Sequence, residues 1–114
     1  MTITLHGLKN CDTCKKALKA LQSAGHDVRF VDIRAETDLS VKLPIWLEAV
    51  PSASLINTRS TTWRGLDDAA RAQAETAPQD LLSAHPTLIK RPVLETSSEV
   101  FVGWTKDTKA AFGL

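Results

Sequence analysis

The 114-residue sequence is short of three things: net charge, long apolar runs and cysteine. Lys and Arg together number 14 against 13 Asp and Glu, a formal net charge of +1. That balance argues against a module for duplex nucleic acid, whose affinity rests on many Lys and Arg contacts to phosphate. No apolar stretch approaches the roughly 18 residues of a membrane-spanning helix. The opening Met1-Thr2-Ile3-Thr4-Leu5-His6 lacks the basic and long apolar regions of a secretory signal. The expectation is a cytoplasmic protein, with no membrane and no direct nucleic-acid partner, whose thiols stay reduced. The only two cysteines, Cys11 and Cys14, are too close in sequence to staple a fold through loop closure. What is present is ordinary globular composition, 43% hydrophobic and 24% charged. At this length folding buries ~65% of the unfolded surface, enough for a core without disulfides or metals. One domain over 1–114 is expected, with no internal repeat, low-complexity tract or linker.

Thr2 to Leu8 alternates polar and apolar residues, the period of a strand, and Gly7 marks its end. From about Cys14 to Ala24, Ala17, Leu18 and Leu21 follow helical spacing, and Gly25 is placed as the stop. Val28 to Ile33 is rich in β-branched and aromatic residues and completes a β-α-β unit with parallel strands. Val41 to Val50 reads as a helix with Pro44 in its first turn, ended by Pro51. The hydroxyl- and amide-rich Ile56 to Thr62 reads as a loop carrying Arg59. Asp67 and Asp68 open an alanine-rich helix to Thr76, and Pro78 opens a short one ending near His85-Pro86. Val93 to Thr96 and Glu99 to Val102 read as two strands around Ser97-Ser98, and Thr105 caps a last helix through Phe112. The expected class is α/β: β-α-β, a helical middle, then β-β-α.

Cys11-Asp12-Thr13-Cys14 sits where the first strand hands over to the first helix, and in that setting the spacing reads as a redox pair. Unsatisfied N–H groups at a helix N-terminus favour an anion, which lowers a cysteine pKa, and Lys15 and Lys16 can add to the effect. Cys11 is the expected nucleophile and Cys14 the resolving thiol. Two other readings stand beside it: both thiols as small buried hydrophobes, or a zinc site with some of His6, His26 and His85, although no second Cys pair or spaced His pair is present. Asn10 and Asp12 are both candidates to cap the helix. Arg59 and Arg91 together can form a bidentate anion site, whereas each alone suits a solvated surface. Pro92 opens the third predicted strand, and its X-Pro bond can be cis or trans.

Three segments carry a resemblance: Gly7-Leu8-Lys9-Asn10-Cys11-Asp12-Thr13-Cys14-Lys15-Lys16-Ala17, then Leu55-Ile56-Asn57-Thr58-Arg59 with Thr61-Thr62-Trp63-Arg64, and His85-Pro86-Thr87-Leu88-Ile89-Lys90-Arg91-Pro92. With them the chain resembles the arsenate reductase and Spx family of thioredoxin-like proteins, its YffB-type branch in particular, over nearly its whole length. The resemblance implies a thioredoxin-like β-α-β plus β-β-α core with a helical insertion at roughly residues 40–86, and a cis bond between Arg91 and Pro92. In the family's arsenate reductases the cysteine matching Cys11 works with three arginines, and glutathione with glutaredoxin regenerates it. Arg59 and Arg91 match two of those arginines; Gly103-Trp104-Thr105 replaces the Gly-Arg-Pro that carries the third. The expected function is therefore a glutathione-dependent thiol-disulfide oxidoreductase. Cys11 attacks, Cys14 resolves, and Asn10, Lys15, Arg59, Arg91 and Pro92 bind substrate or glutathione. No metal or bound cofactor is expected, and glutathione is a co-substrate. The alternatives are a redox-sensing regulator of the Spx kind, which binds the α subunit of RNA polymerase, and a glutaredoxin-dependent arsenate reductase.

Overall fold

The computed structural model describes residues 2–114. In chain order the elements are β1 (Thr2–Gly7), α1 (Asp12–Ser23), β2 (Asp27–Asp32), α2 (Leu39–Ala49), α3 (Ser52–Leu55), α4 (Thr61–Arg64), α5 (Asp68–Thr76), α6 (Pro78–Ala84), β3 (Val93–Glu95), β4 (Val100–Val102) and α7 (Lys106–Ala111), with a 3-10 turn at Pro86–Leu88. They fall into two compact units. The described part of Met1–Thr37 joins Arg91–Leu114 in one, and Asp38–Lys90 forms the other.

In the first unit the sheet order is β2-β1-β3-β4. β1 and β2 are parallel, which requires a crossover, and α1 supplies it. β3 pairs antiparallel with β1 and with β4, as a short hairpin allows. The alternation of β1 buries Ile3 and Leu5 against Cys14, Ala17 and Leu21 of α1, with Leu94 and Phe112 completing the cluster. At the end of α1, the Gly25 N–H donates to the Gln22 carbonyl at 3.0 Å and the His26 N–H to Leu21 at 3.1 Å. This pair of bonds needs a left-handed residue, and Gly25 takes it at φ 91°. The core is thioredoxin-like, as the resemblance implies.

The second unit is helical. Leu43, Trp46, Leu55, Leu81, Leu82 and Leu88 are fully buried in it, and α6 packs on both α2 and α5. Three sequence expectations change here. α2 starts at Leu39, because Asp38 caps it by accepting from the Ser40 N–H at 3.2 Å. Pro44 consequently falls in the second turn and not the first. The lost helix bond costs ~3 kcal/mol in an isolated helix; burial of neighbouring Leu43 and Trp46 opposes that cost. The expected loop from Ile56 to Thr62 is partly ordered: Ile56 bridges Ile89, and the Ser60 hydroxyl caps α4 by accepting from the Trp63 N–H at 3.1 Å. Hydroxyls that compete with helix interiors are the groups that start helices.

Candidate active site

The chain leaves β1 through Gly7 and Leu8, and the Cys11 N–H donates to the Leu8 carbonyl at 3.1 Å. α1 begins at Asp12, about half a turn earlier than its apolar spacing indicates, so Cys11 itself is the N-cap residue. Neither Asn10 nor Asp12 takes that position; Asn10 is exposed and Asp12 lies in the first turn. Cys11 has extended backbone, and its carbonyl accepts from the Lys15 N–H at 3.0 Å. Its sulfur therefore stands at the positive end of α1, where first-turn N–H groups lack helical partners. Cys11 is half-buried, Cys14 is fully buried one turn into the core face, and both are free thiols.

The two thiols differ because their surroundings differ. As a thiol Cys11 makes no conventional capping hydrogen bond. Burial alone pushes its pKa up, but the Cys14 N–H and thiol and the Arg91 guanidinium favour its anion and together outweigh burial. Cys11 therefore titrates below the ordinary 9.0. Cys14 is pushed up to about 12, first by burial and then by the neighbouring Cys11 sulfur; the Leu8 N–H and Arg91 only partly offset this. The arrangement is one accessible thiol that ionises more readily than usual beside one sequestered thiol that holds its proton.

Gly7 is a positioning residue that the sequence marks only as a strand end. A Cβ there would lie 2.6 Å from the Cys14 sulfur and 3.1 Å from Leu5 Cδ2. Gly7→Ala is thus expected to destabilise the protein by ~1–3 kcal/mol through overpacking. Denaturant unfolding checks this, along with a changed rate of Cys14 modification.

The Arg91–Pro92 bond is cis, and the Pro92 carbonyl accepts from the Gly103 N–H at 2.8 Å. Gly103, at φ 81°, turns the chain into Trp104, whose ring lies under the Lys109 ammonium, 5.8 Å from the centroid. Of the expected site residues, the first unit thus brings Cys11, Cys14 and Arg91 together; Lys15 is exposed on α1. Arg59 belongs to the helical unit, where it is exposed on the turn that Asn57 holds by accepting from its N–H at 3.1 Å.

His6 is buried, only 2% exposed. Its ring bonds the Thr37 hydroxyl at 2.8 Å and Glu95 at 2.5 Å. Alternation puts it on the sheet face opposite Leu5 and the Cys14 cluster. Among the described residues no group of three His, Cys, Asp or Glu is placed to hold a metal, and no helix is long and apolar enough to cross a membrane.

Comparison with known proteins agrees with this geometry. The ArsC family model matches residues 6–112. An uncharacterized protein of Haemophilus influenzae is 36% identical over 115 residues, covering 96% of this chain and 98% of its own. A YffB protein of known structure superposes with a TM-score of 0.84 at 35% identity, covering 96% of both chains. The solution structure of an arsenate reductase related protein from Brucella melitensis gives 0.77 at 36% identity, over 100% of this chain and 97% of that one. With a cysteine at the start of α1 and these similarities along almost its whole length, the chain belongs to the ArsC family of thiol-based reductases, in its YffB-type branch.

Proposed function

We propose that the protein is a glutathione-dependent thiol-disulfide oxidoreductase. The observation that carries this is the Cys11 sulfur at the α1 N-terminus, with the Arg91 guanidinium and the Cys14 N–H favouring its thiolate. The thiolate attacks the glutathione sulfur of a glutathionylated substrate. A bond forms between Cys11 and glutathione, the substrate–sulfur bond breaks, and the substrate leaves as a thiolate that takes a proton from water.

Either of two thiols completes the turnover. Free glutathione can attack the mixed disulfide directly, giving oxidised glutathione and the Cys11 thiolate. Alternatively Cys14 loses its proton and attacks Cys11, releasing glutathione; two further glutathione molecules then reduce the Cys11–Cys14 disulfide. The second route becomes easier once Cys11 is in a disulfide. Its sulfur then carries no charge, and so loses one of the influences that hold the Cys14 proton in place. Glutaredoxin can serve as reductant in place of free glutathione. The test uses Cys14→Ser with oxidised glutathione: a glutathione adduct confined to Cys11, formed faster than on a free cysteine at the same pH, is expected. No adduct would contradict the proposal.

A second reading draws on the same thiol pair. Hydrogen bonding between Cys11 and Cys14 allows a four-residue disulfide ring, whose restricted geometry makes it a labile switch of the Spx kind. Capture of the RNA polymerase α subunit by only the oxidised or only the reduced protein is its expected signature; no capture in either state removes it. Arsenate reduction is the less favoured chemistry, because Trp104 stands where a third arginine would hold the oxyanion. The missing charge-assisted contact is worth ~1.5–3 kcal/mol, tenfold or more in binding. The protein is accordingly expected not to restore arsenate resistance to cells that lack their own reductase.

A further inference from the structure

A small open cavity of about 300 Å³ lies along α1 and is lined by Lys9, Lys15, Leu18 and Phe30. Its floor is apolar: Leu18 and Phe30 are half-buried, packed on the cluster that holds Cys14. Its other walls come from the two lysines, which are exposed. Long lysine stems cover apolar surface while the ammonium groups remain in water. Among the described residues neither ammonium has a carboxylate within salt-bridge distance. Asp32 feels the Lys9 charge only weakly, its carboxylate being held mainly by the Ala35 and Arg34 N–H groups.

The position of this cavity is what gives it meaning. Cys11, Lys15 and Leu18 are spaced i, i+4 and i+7, one stripe along α1. Lys9 lies two residues before the nucleophile, and Phe30 reaches the same sheet face because it pairs in register with Leu5. The cavity therefore lies on the stripe of α1 that starts at Cys11, one turn and more beyond it. The volume is larger than the ~150 Å³ of an apolar cavity that binds benzene, so a substituted aromatic ring or a short acyl chain fits.

We propose that this cavity is the subsite for the organic group on the sulfur that leaves when Cys11 attacks, and that the preferred substrates are mixed disulfides of glutathione with aromatic or short aliphatic thiols bearing a carboxylate. The ring or chain rests on Leu18 and Phe30, and the carboxylate meets the ammonium groups of Lys9 and Lys15. The step is a thiol-disulfide exchange: the Cys11 thiolate bonds to the glutathione sulfur, the original S–S bond breaks, and the sulfur carrying the apolar group departs with the electron pair as a thiolate. The proposal rests on Cys11 acting as the nucleophile of a reductase, and it names the substrate class of that site.

The test compares two probe disulfides on full-length Cys14→Ser protein: dithiobis(nitrobenzoate), aromatic and anionic, and bis(hydroxyethyl) disulfide, short and uncharged. The quantity read is the ratio of second-order rate constants, divided by the same ratio for N-acetylcysteinamide, so that thiolate fraction and the probes' own reactivity cancel. A normalised ratio of about tenfold is expected from partial burial of one ring, falling severalfold in Phe30→Ala and in Lys15→Gln. A thermal melt confirms folding, and if Phe30→Ala does not fold, Lys15→Gln decides. A normalised ratio near one, or a ratio unmoved by the folded variants, overturns the proposal. If Cys11 reacts with both probes no faster than the free thiol, the failure lies with Cys11 as nucleophile, and the subsite falls with it.

Discussion

Cys11→Ser is expected to abolish reaction with glutathionylated substrates, by on the order of a thousandfold or more, because a serine hydroxyl is not ionised where a thiolate is. Cys14→Ser is expected to differ in kind: the first attack survives and the cycle slows at the mixed disulfide. The asymmetry follows from the burial of Cys14 and its pKa of about 12, against a half-exposed Cys11 that titrates below 9.0. Stopped-flow reduction of a glutathionylated peptide, followed by intact mass at the end of the burst, separates the two. Equal loss in both variants would mean that the thiols act as a single unit and not as attacker and resolver.

Arg91→Ala is expected to have the second largest effect. Arg91 favours the Cys11 anion by hydrogen bond and by charge, so its removal leaves burial less opposed. The sign follows from an acid whose pKa in the fold lies below its ordinary value. Thiolate reactivity is present above the lowered pKa and is lost as the pH falls through it. In Arg91→Ala that midpoint moves up, and at neutral pH the reactive fraction shrinks. Loss of that charge-assisted hydrogen bond predicts attack at pH 7 slowed severalfold. Rates of alkylation by iodoacetamide across the pH range give both the midpoint and the plateau. Arg91→Lys should recover part of the midpoint shift, since it keeps the charge but not the planar fork.

The strands and α1 were legible because their patterns are local. Ile3 and Leu5 alternate with polar neighbours, Ala17 and Leu21 repeat at helical spacing, and Gly25 supplies the left-handed stop. The cysteine pair was legible for the same reason, since its meaning depends only on sitting between a strand and a helix. The first turn of α1 was not, because Asp12 and Thr13 carry no apolar period; there the N-cap position of Cys11 emerges from backbone geometry. Arg91 shows a different limit. It is 80 residues from Cys11 in number, and only the pairing of β3 with β1, His6 opposite Val93, carries it back to the start of α1. The role of Gly7 was hidden likewise, since a strand-ending glycine does not reveal that a sulfur fills the space of its missing side chain. His6 reads as the outward residue of a half-exposed strand, yet Thr37 and Glu95, distant in sequence, close over it.

The central claim is that the pKa values of two thiols three positions apart have been driven in opposite directions, and a thiolate titration by ultraviolet absorbance tests it most directly. On the reduced protein one thiolate equivalent should appear with a midpoint below 9.0, with the second withheld until the pH approaches about 12. Two equivalents rising together at or above 9.0 would contradict it.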